Sequence, residues 1–198
     1  MLEQYQQVIA QYRQRVYSFA HYSLRASEDA EDITQEVFIK LWQHWQKIDH
    51  SKLNAWLMRV AHNAVIDLVR KRKNQKELTD DYAEPDMQAT AEAETGKTID
   101  DAAFKEQLMA AIYALDDPFR SIVIMRDIQG MSYADIQHTL DMSESQVKVY
   151  LHRSRRKLRE NQELKQIFED MSGSGPRAAP TGTASMKVIS SQSEHQQG

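Results

Sequence analysis

An all-α fold of two small helical domains joined by a flexible acidic linker is what this sequence predicts, and three observations carry the prediction. Apolar residues before residue 172 recur mostly at helical spacing, with no convincing alternating run. Gly and Pro are scarce, at 6 and 4 in 198 residues, and the low hydropathy argues against one extended core. Finally, the stretch 77–103 carries Glu77, Asp80, Asp81, Glu84, Asp86, Glu92, Glu94, Asp100 and Asp101 against Lys97 alone, with Pro85 and Gly96 and almost no large apolar side chain. Such a segment buries too little surface to offset the entropy of ordering it. It divides the chain into domains at 1–76 and 104–171, and a Ser, Gly and Gln-rich stretch, 172–198, reads as a disordered tail.

Two helices define the first domain. From about Glu28 to Gln46, a hundred degrees per residue places Ile33, Val37, Phe38, Leu41 and Trp45 on one side, which is core. Asp32, Gln35, Glu36, Ile39 and Gln43 gather on the other. Charges alone there would be a solvated surface, but Ile39 among them suits a face that docks onto a basic protein partner. From about Leu53 to Lys73, a second helix turns Leu57, Ala61, Ala64, Val65 and Leu68 inward, which leaves Trp56, Arg59, Asn63 and Arg70 on another stripe. An aromatic ring beside guanidiniums and an amide suits opened DNA, since the ring stacks on an unpaired base while the guanidiniums hold phosphates. Alone, Trp56 would read as a core-edge residue.

The second domain is read from its punctuation. Asp117 with Pro118 resembles an N-cap followed by a first-turn proline, and Gly130 ends that helix. Ser132 opens a short helix with Tyr133, Ile136 and Leu140. Ser143 opens a longer one, with Gln146 at capping-box spacing. Short helix, tight turn and long helix make a helix-turn-helix. In the last helix Val147, Leu151, Ser154 and Leu158 face inward, while Glu144, Ser145, Lys148, Val149 and His152 face outward. Residues at the front of such a helix reach base edges and later cations hold phosphates. The base-reading candidates are therefore Glu144, Ser145, Gln146 and Lys148, with Arg153, Arg155, Arg156 and Lys157 on the backbone. A basic solvated helix is the plain alternative, and the two caps just upstream argue against it.

The net charge of -4 conceals this distribution. Arg59, Arg70, Lys71, Arg72, Lys73 and Lys76 form one cationic cluster, and Lys148, Arg153, Arg155, Arg156, Lys157 and Arg159 another. With no cysteine, disulfides and thiolate chemistry are excluded. The 7 histidines are scattered, and no glycine-rich phosphate loop or nucleophile motif appears, so no enzyme, metal or cofactor is expected. The start lacks a signal-peptide core and no segment would span a bilayer, so a cytoplasmic protein without membrane insertion is expected.

The runs DAEDITQEVFIKLWQHW and LNAWLMRVAHNAVIDLVRKRK resemble region 2 of the extracytoplasmic-function sigma factors of bacterial RNA polymerase. The segment LDDPFRSIVIMRDIQGMSYADIQHTLDMSESQVKVYLHRSRRKLRE is similar to their region 4. Its departures are Asp141 at the usual turn glycine, Gln146 at the usual threonine, and Val149-Tyr150 at a frequent Ser-Arg pair. Asp tolerates the left-handed turn conformation, so the motif survives. The resemblance implies a dissociable subunit that binds core RNA polymerase and directs promoter-specific initiation, held in check by an anti-sigma factor. It assigns Asp32, Gln35, Glu36 and Ile39 to polymerase, and Trp56, Arg59, Asn63 and Arg70, with the loop Ile48 to Asn54, to recognition and opening of the −10 element. The last helix would take the −35 element, and the acidic linker would thread toward the polymerase cleft. The rival readings are a stand-alone helix-turn-helix regulator dimerised through its first half, and an adaptor that uses both domains for protein contacts.

Overall fold

The computed structural model describes residues 2–78, 99–162 and 164–165, and among these there is no strand. The helices are α1 (Leu2–Leu24), α2 (Ser27–His44), α3 (Leu53–Leu78), α4 (Ile99–Tyr113), α5 (Phe119–Val123), α6 (Tyr133–Leu140) and α7 (Glu144–Glu160). The acidic residues from Asp80 to Glu94 and the tail fall outside the described residues. Helix α4 begins at Ile99, inside the stretch read as linker.

In the first domain α1, α2 and α3 bury Val16, Phe19, Val37, Leu41, Leu57, Ala61 and Val65 between them. The predicted core side of α2 is buried in full, since Ile33, Val37, Phe38 and Leu41, with Trp45 just past the end of the helix, all lie inside. Leu57, Ala61 and Val65 of α3 are buried, with Ala64 and Leu68 half-buried at the edge. The buried hydroxyls of Ser23 and Thr34 donate to Phe19 O and Ala30 O at 2.7 and 2.6 Å, so neither polar group is stranded inside. Tyr5 donates to Phe38 O at 2.9 Å and presents its ring to the edges of Trp42 and Trp45, which ties the start of α1 to the end of α2.

The second domain follows its punctuation with one correction. Pro118, not Asp117, is the N-cap of α5, and no side chain caps that helix. The Asp117 carboxylate is used elsewhere: it accepts from the Ser121 hydroxyl and lies 3.2 Å from His62 Nε2. Past Val123 the chain widens into a π turn, Ile124–Ile128, and then leaves through Gly130 at φ +65°. Helix α6 starts on Ser132, whose side chain accepts from Asp135 N, and ends on Asp141 in the left-handed region at φ 55°, ψ 46°. Helix α7 starts on a complete capping box: Ser143 Oγ accepts from Gln146 N at 3.3 Å, and Gln146 Oε1 accepts from Ser143 N at 2.8 Å. Removing that cap with Ser143→Ala should cost about 1 kcal/mol, read as a lower denaturant midpoint at unchanged slope.

Instead of standing apart, the two domains are docked. Helix α3 lies along α6, α1 meets α4 and the π turn, and the buried apolar side chains of both domains join one continuous cluster. The seam is fastened largely by side chains that donate to main-chain carbonyls. Arg59 donates through Nε to Thr139 O at 3.3 Å and through Nη2 to His138 O. These carbonyls belong to the last turn of α6, where no further backbone N–H follows to bond them. In return, Thr139 Oγ1 donates to Ala55 O at 3.3 Å. Gln129 Nε2 donates to Arg15 O at 2.7 Å, and Arg120 donates to Ser23 O at 3.1 Å and Leu115 O at 2.9 Å while lying over the Tyr113 ring. Burial pulls the Arg120 pKa below its ordinary value, and nearby Tyr113, Asp117 and Asp116 work against that shift.

The His62–Asp117 contact crosses the same seam, with the two side chains 14 % and 31 % exposed. Burial pushes the Asp117 carboxyl up, but hydrogen bonds from His62 and Ser121 more than offset it and hold its pKa below the ordinary value. Its contribution to stability is therefore complete above the unfolded carboxylate pKa of about 3.9 and is lost as pH falls through the lowered folded value, and the share that comes from His62 belongs to the docked state. An acid titration followed by energy transfer between labels on the two domains should show this loss, and Asp117→Asn should remove it.

Candidate polymerase and promoter interfaces

On the outer side of α2, Asp32, Gln35, Glu36 and Ile39 are all exposed, Ile39 by 57 %. Glu36 pairs with Lys40 one turn on, at 2.5 Å. Trp42, absent from the predicted face, stands 43 % exposed one turn beyond Ile39 and extends its apolar part. Its signal was present in the spacing, since position 42 follows 35 and 39 along one side of a helix.

The α3 stripe is only partly presented outward. Trp56 is half-buried, packs against the core and has the His44 ring near its edge, while Asn63 and Arg70 are exposed. Arg70 pairs with Asp67 on its own helix, and Arg72 reaches both carboxylate oxygens of Asp29 at 2.7 Å, which pins α3 to the start of α2. Arg59 is turned onto α6, and the Asp141 carboxylate stands 4.0 Å from it. In the docked arrangement the Arg59 guanidinium is thus occupied internally.

The loop before α3 is ordered by its own side chains. Asp49 accepts from Ser51 N at 2.9 Å and from Ser51 Oγ at 2.6 Å, bonds that hold its carboxyl below the ordinary pKa. Asn54 Oδ1 accepts from Arg15 at 2.9 Å, and the His50 ring packs edge-on against Trp45. Pre-ordering of this kind lowers the entropic cost of binding any partner at the loop.

Helix α7 keeps its outer face clear of the seam. Glu144, Ser145, Gln146, Lys148, Arg153, Arg155, Arg156 and Lys157 are all exposed. Several already hold partners. Glu144 and Lys148 pair at 2.5 Å, Arg155 bonds Asp127 at 3.0 Å, and Lys157 lies over the Phe119 ring at 4.4 Å. A groove of about 500 Å³ beside α7 is lined by Tyr133, Lys148, His152, Arg155 and Arg159, with Lys148 over the Tyr133 ring at 5.8 Å. Among the described residues no group of three or more His, Cys, Asp or Glu could hold a metal ion, and no helix is long and apolar enough to cross a membrane.

Two family descriptions match the chain: Sigma-70 region 2 over residues 8–75 and Sigma-70, region 4, over residues 105–158. It is 30 % identical over 156 residues to the ECF RNA polymerase sigma factor SigW of Bacillus subtilis, with 75 % of this chain and 83 % of SigW covered. The chain belongs to the ECF RNA polymerase sigma factors. The ECF sigma factor SigE of Mycolicibacterium smegmatis is 31 % identical over 156 residues, which is 78 % of this chain and 60 % of SigE. Among solved structures, RpoE of Bartonella quintana, in a complex with the anti-sigma factor NepR, has the same fold at a TM-score of 0.69 and 23 % identity, covering 83 % of this chain and 98 % of RpoE. As an ECF sigma factor the chain is a transcription initiation factor and not an enzyme. In this sigma factor, region 2 corresponds to α1 to α3, and region 4 runs from within α4 into α7.

Proposed function

We propose that this sigma factor divides its work among three helix faces, with α2 holding core RNA polymerase, α3 and its preceding loop opening the −10 element, and α7 reading the −35 element. The observation that best supports the division is that α2 and α7 present opposite chemistries outward. Asp32, Gln35, Glu36 and Ile39 offer acid, amide and an apolar contact, while α7 offers a row of cations behind a complete N-terminal cap. A face mixing carboxylates with an isoleucine fits a basic protein surface, whereas guanidiniums on a helix-turn-helix fit phosphates. Residues 1–76 would form the polymerase and −10 unit, 104–171 the −35 unit, and 77–103 the connection that lets both engage on one platform.

Core polymerase sets the location of the work, so the protein acts in the cytoplasm. An anti-sigma factor is its expected regulator, since RpoE of similar fold was solved with NepR and CnrH with the cytosolic domain of CnrY. An inhibitor that favours the docked arrangement would keep Arg59 on α6 and away from DNA.

Run-off transcription with purified core polymerase tests the proposal, because promoter-dependent transcripts should appear only when this chain is added. Glu36→Lys should weaken binding to core polymerase about tenfold or more, since it places a cation on a face meant for a basic partner. Binding measured without promoter DNA isolates that effect. Tight binding to a palindromic operator without polymerase would favour the stand-alone regulator instead.

A further inference from the structure

We propose that Val149 reads the 5-methyl group of a thymine in the −35 element, an inference that rests on α7 being the helix that enters duplex DNA. Val147, Leu151 and Ser154 are buried and fix the inward direction of α7. At a hundred degrees per residue, Ser145, Val149, His152 and Arg156 cluster about the opposite direction. Of these, Val149 is the apolar one, and it stands 46 % exposed.

The polar side chains at the front of α7 are largely committed to the helix itself. Gln146 spends its carbonyl oxygen on Ser143 N, Glu144 and Lys148 hold each other, and Ser145 Oγ lies 3.0 Å from Ser143 Oγ. An isopropyl group is what the front of the helix projects at its centre, with Arg153 and Arg156 exposed on the following turn to meet phosphates. In the major groove thymine alone offers a methyl group; the other base edges offer donors and acceptors that an isopropyl group would strip of water without bonding. A lone exposed valine is unremarkable on most surfaces. Here it occupies the outward centre of the helix that carries the cations.

The experiment uses the full chain assembled with core polymerase. Promoters are first selected from a library randomised in the −35 element, and each thymine of the selected sequence is then replaced in turn by deoxyuridine, which deletes only the methyl. One position should lose binding about fourfold with the wild-type chain, equivalent to about 0.8 kcal/mol for one buried methyl. Val149→Ala should bring the thymine-to-deoxyuridine ratio at that position close to one and leave the other positions unchanged. A selected element without thymine, or a ratio equal in the wild type and Val149→Ala, overturns the proposal. Arg153→Ala combined with Arg156→Ala should weaken binding about equally for every −35 sequence. If that pair leaves −35 binding untouched, α7 is not the reading helix, a failure separate from that of Val149 alone.

Discussion

Arg59→Glu should leave assembly with core polymerase intact, or strengthen it, while the yield of open promoter complexes falls at least tenfold. The two halves of this expectation have different origins. In the free chain, Arg59 donates to His138 O and Thr139 O at the end of α6, so a glutamate there faces carbonyl oxygens and the Asp141 carboxylate and loosens the docking of the domains. On the promoter, the same position is proposed to hold a phosphate of the strand being opened. A charge-assisted hydrogen bond contributes about 1.5–3 kcal/mol, or a factor of about 10 to 150, and reversing the charge adds repulsion. Energy transfer between labelled domains follows the first effect, and permanganate reactivity of unpaired thymines in the assembled complex follows the second. Equal losses of assembly and of open complexes would contradict the division of labour.

Phe19→Ala should be the most damaging single truncation, costing about 3–5 kcal/mol. Phe19 is fully buried in α1, and its ring lies beside that of His62, the residue that meets Asp117 across the seam. Because the buried cluster runs on from the first domain into the second, the wild-type chain should unfold in one transition rather than two. A loss of this size is comparable to the whole stability of a small protein, and truncation at the seam should also split the transition into two. Calorimetry decides, since an unchanged midpoint or a transition that stays single would show that Phe19 does not couple the domains.

Much of each domain was legible in the sequence because local rules govern it. The core side of α2, the cap of α6 and the capping box of α7 follow from spacing and from side chains within four residues of their targets. Asp141 takes the left-handed conformation that the turn requires. The docking was not legible, for a physical reason. Arg59, Gln129, Thr139 and Arg120 donate to carbonyls 79 to 114 residues away in sequence, and every residue carries a carbonyl, so composition cannot single out the acceptor. The same applies to Asp117, whose neighbour Pro118 suggested a cap while Ser121 and His62 claimed its carboxylate. For the site, exposure of the α2 and α7 faces was legible, but the competition for Gln146 was only half seen. Its spacing announced a capping box, and that role engages the oxygen a base would need.

The docked seam bears on polymerase uptake if it must open first. If only a spread chain can straddle two promoter elements on one enzyme, the apparent affinity is the intrinsic affinity scaled by the fraction of molecules already unfastened. Substitutions remote from the polymerase face, such as Arg120→Ala or Gln129→Ala, would then act as gain-of-occupancy alleles, enriching the assembled enzyme in this subunit when several rivals compete for a limited pool of core.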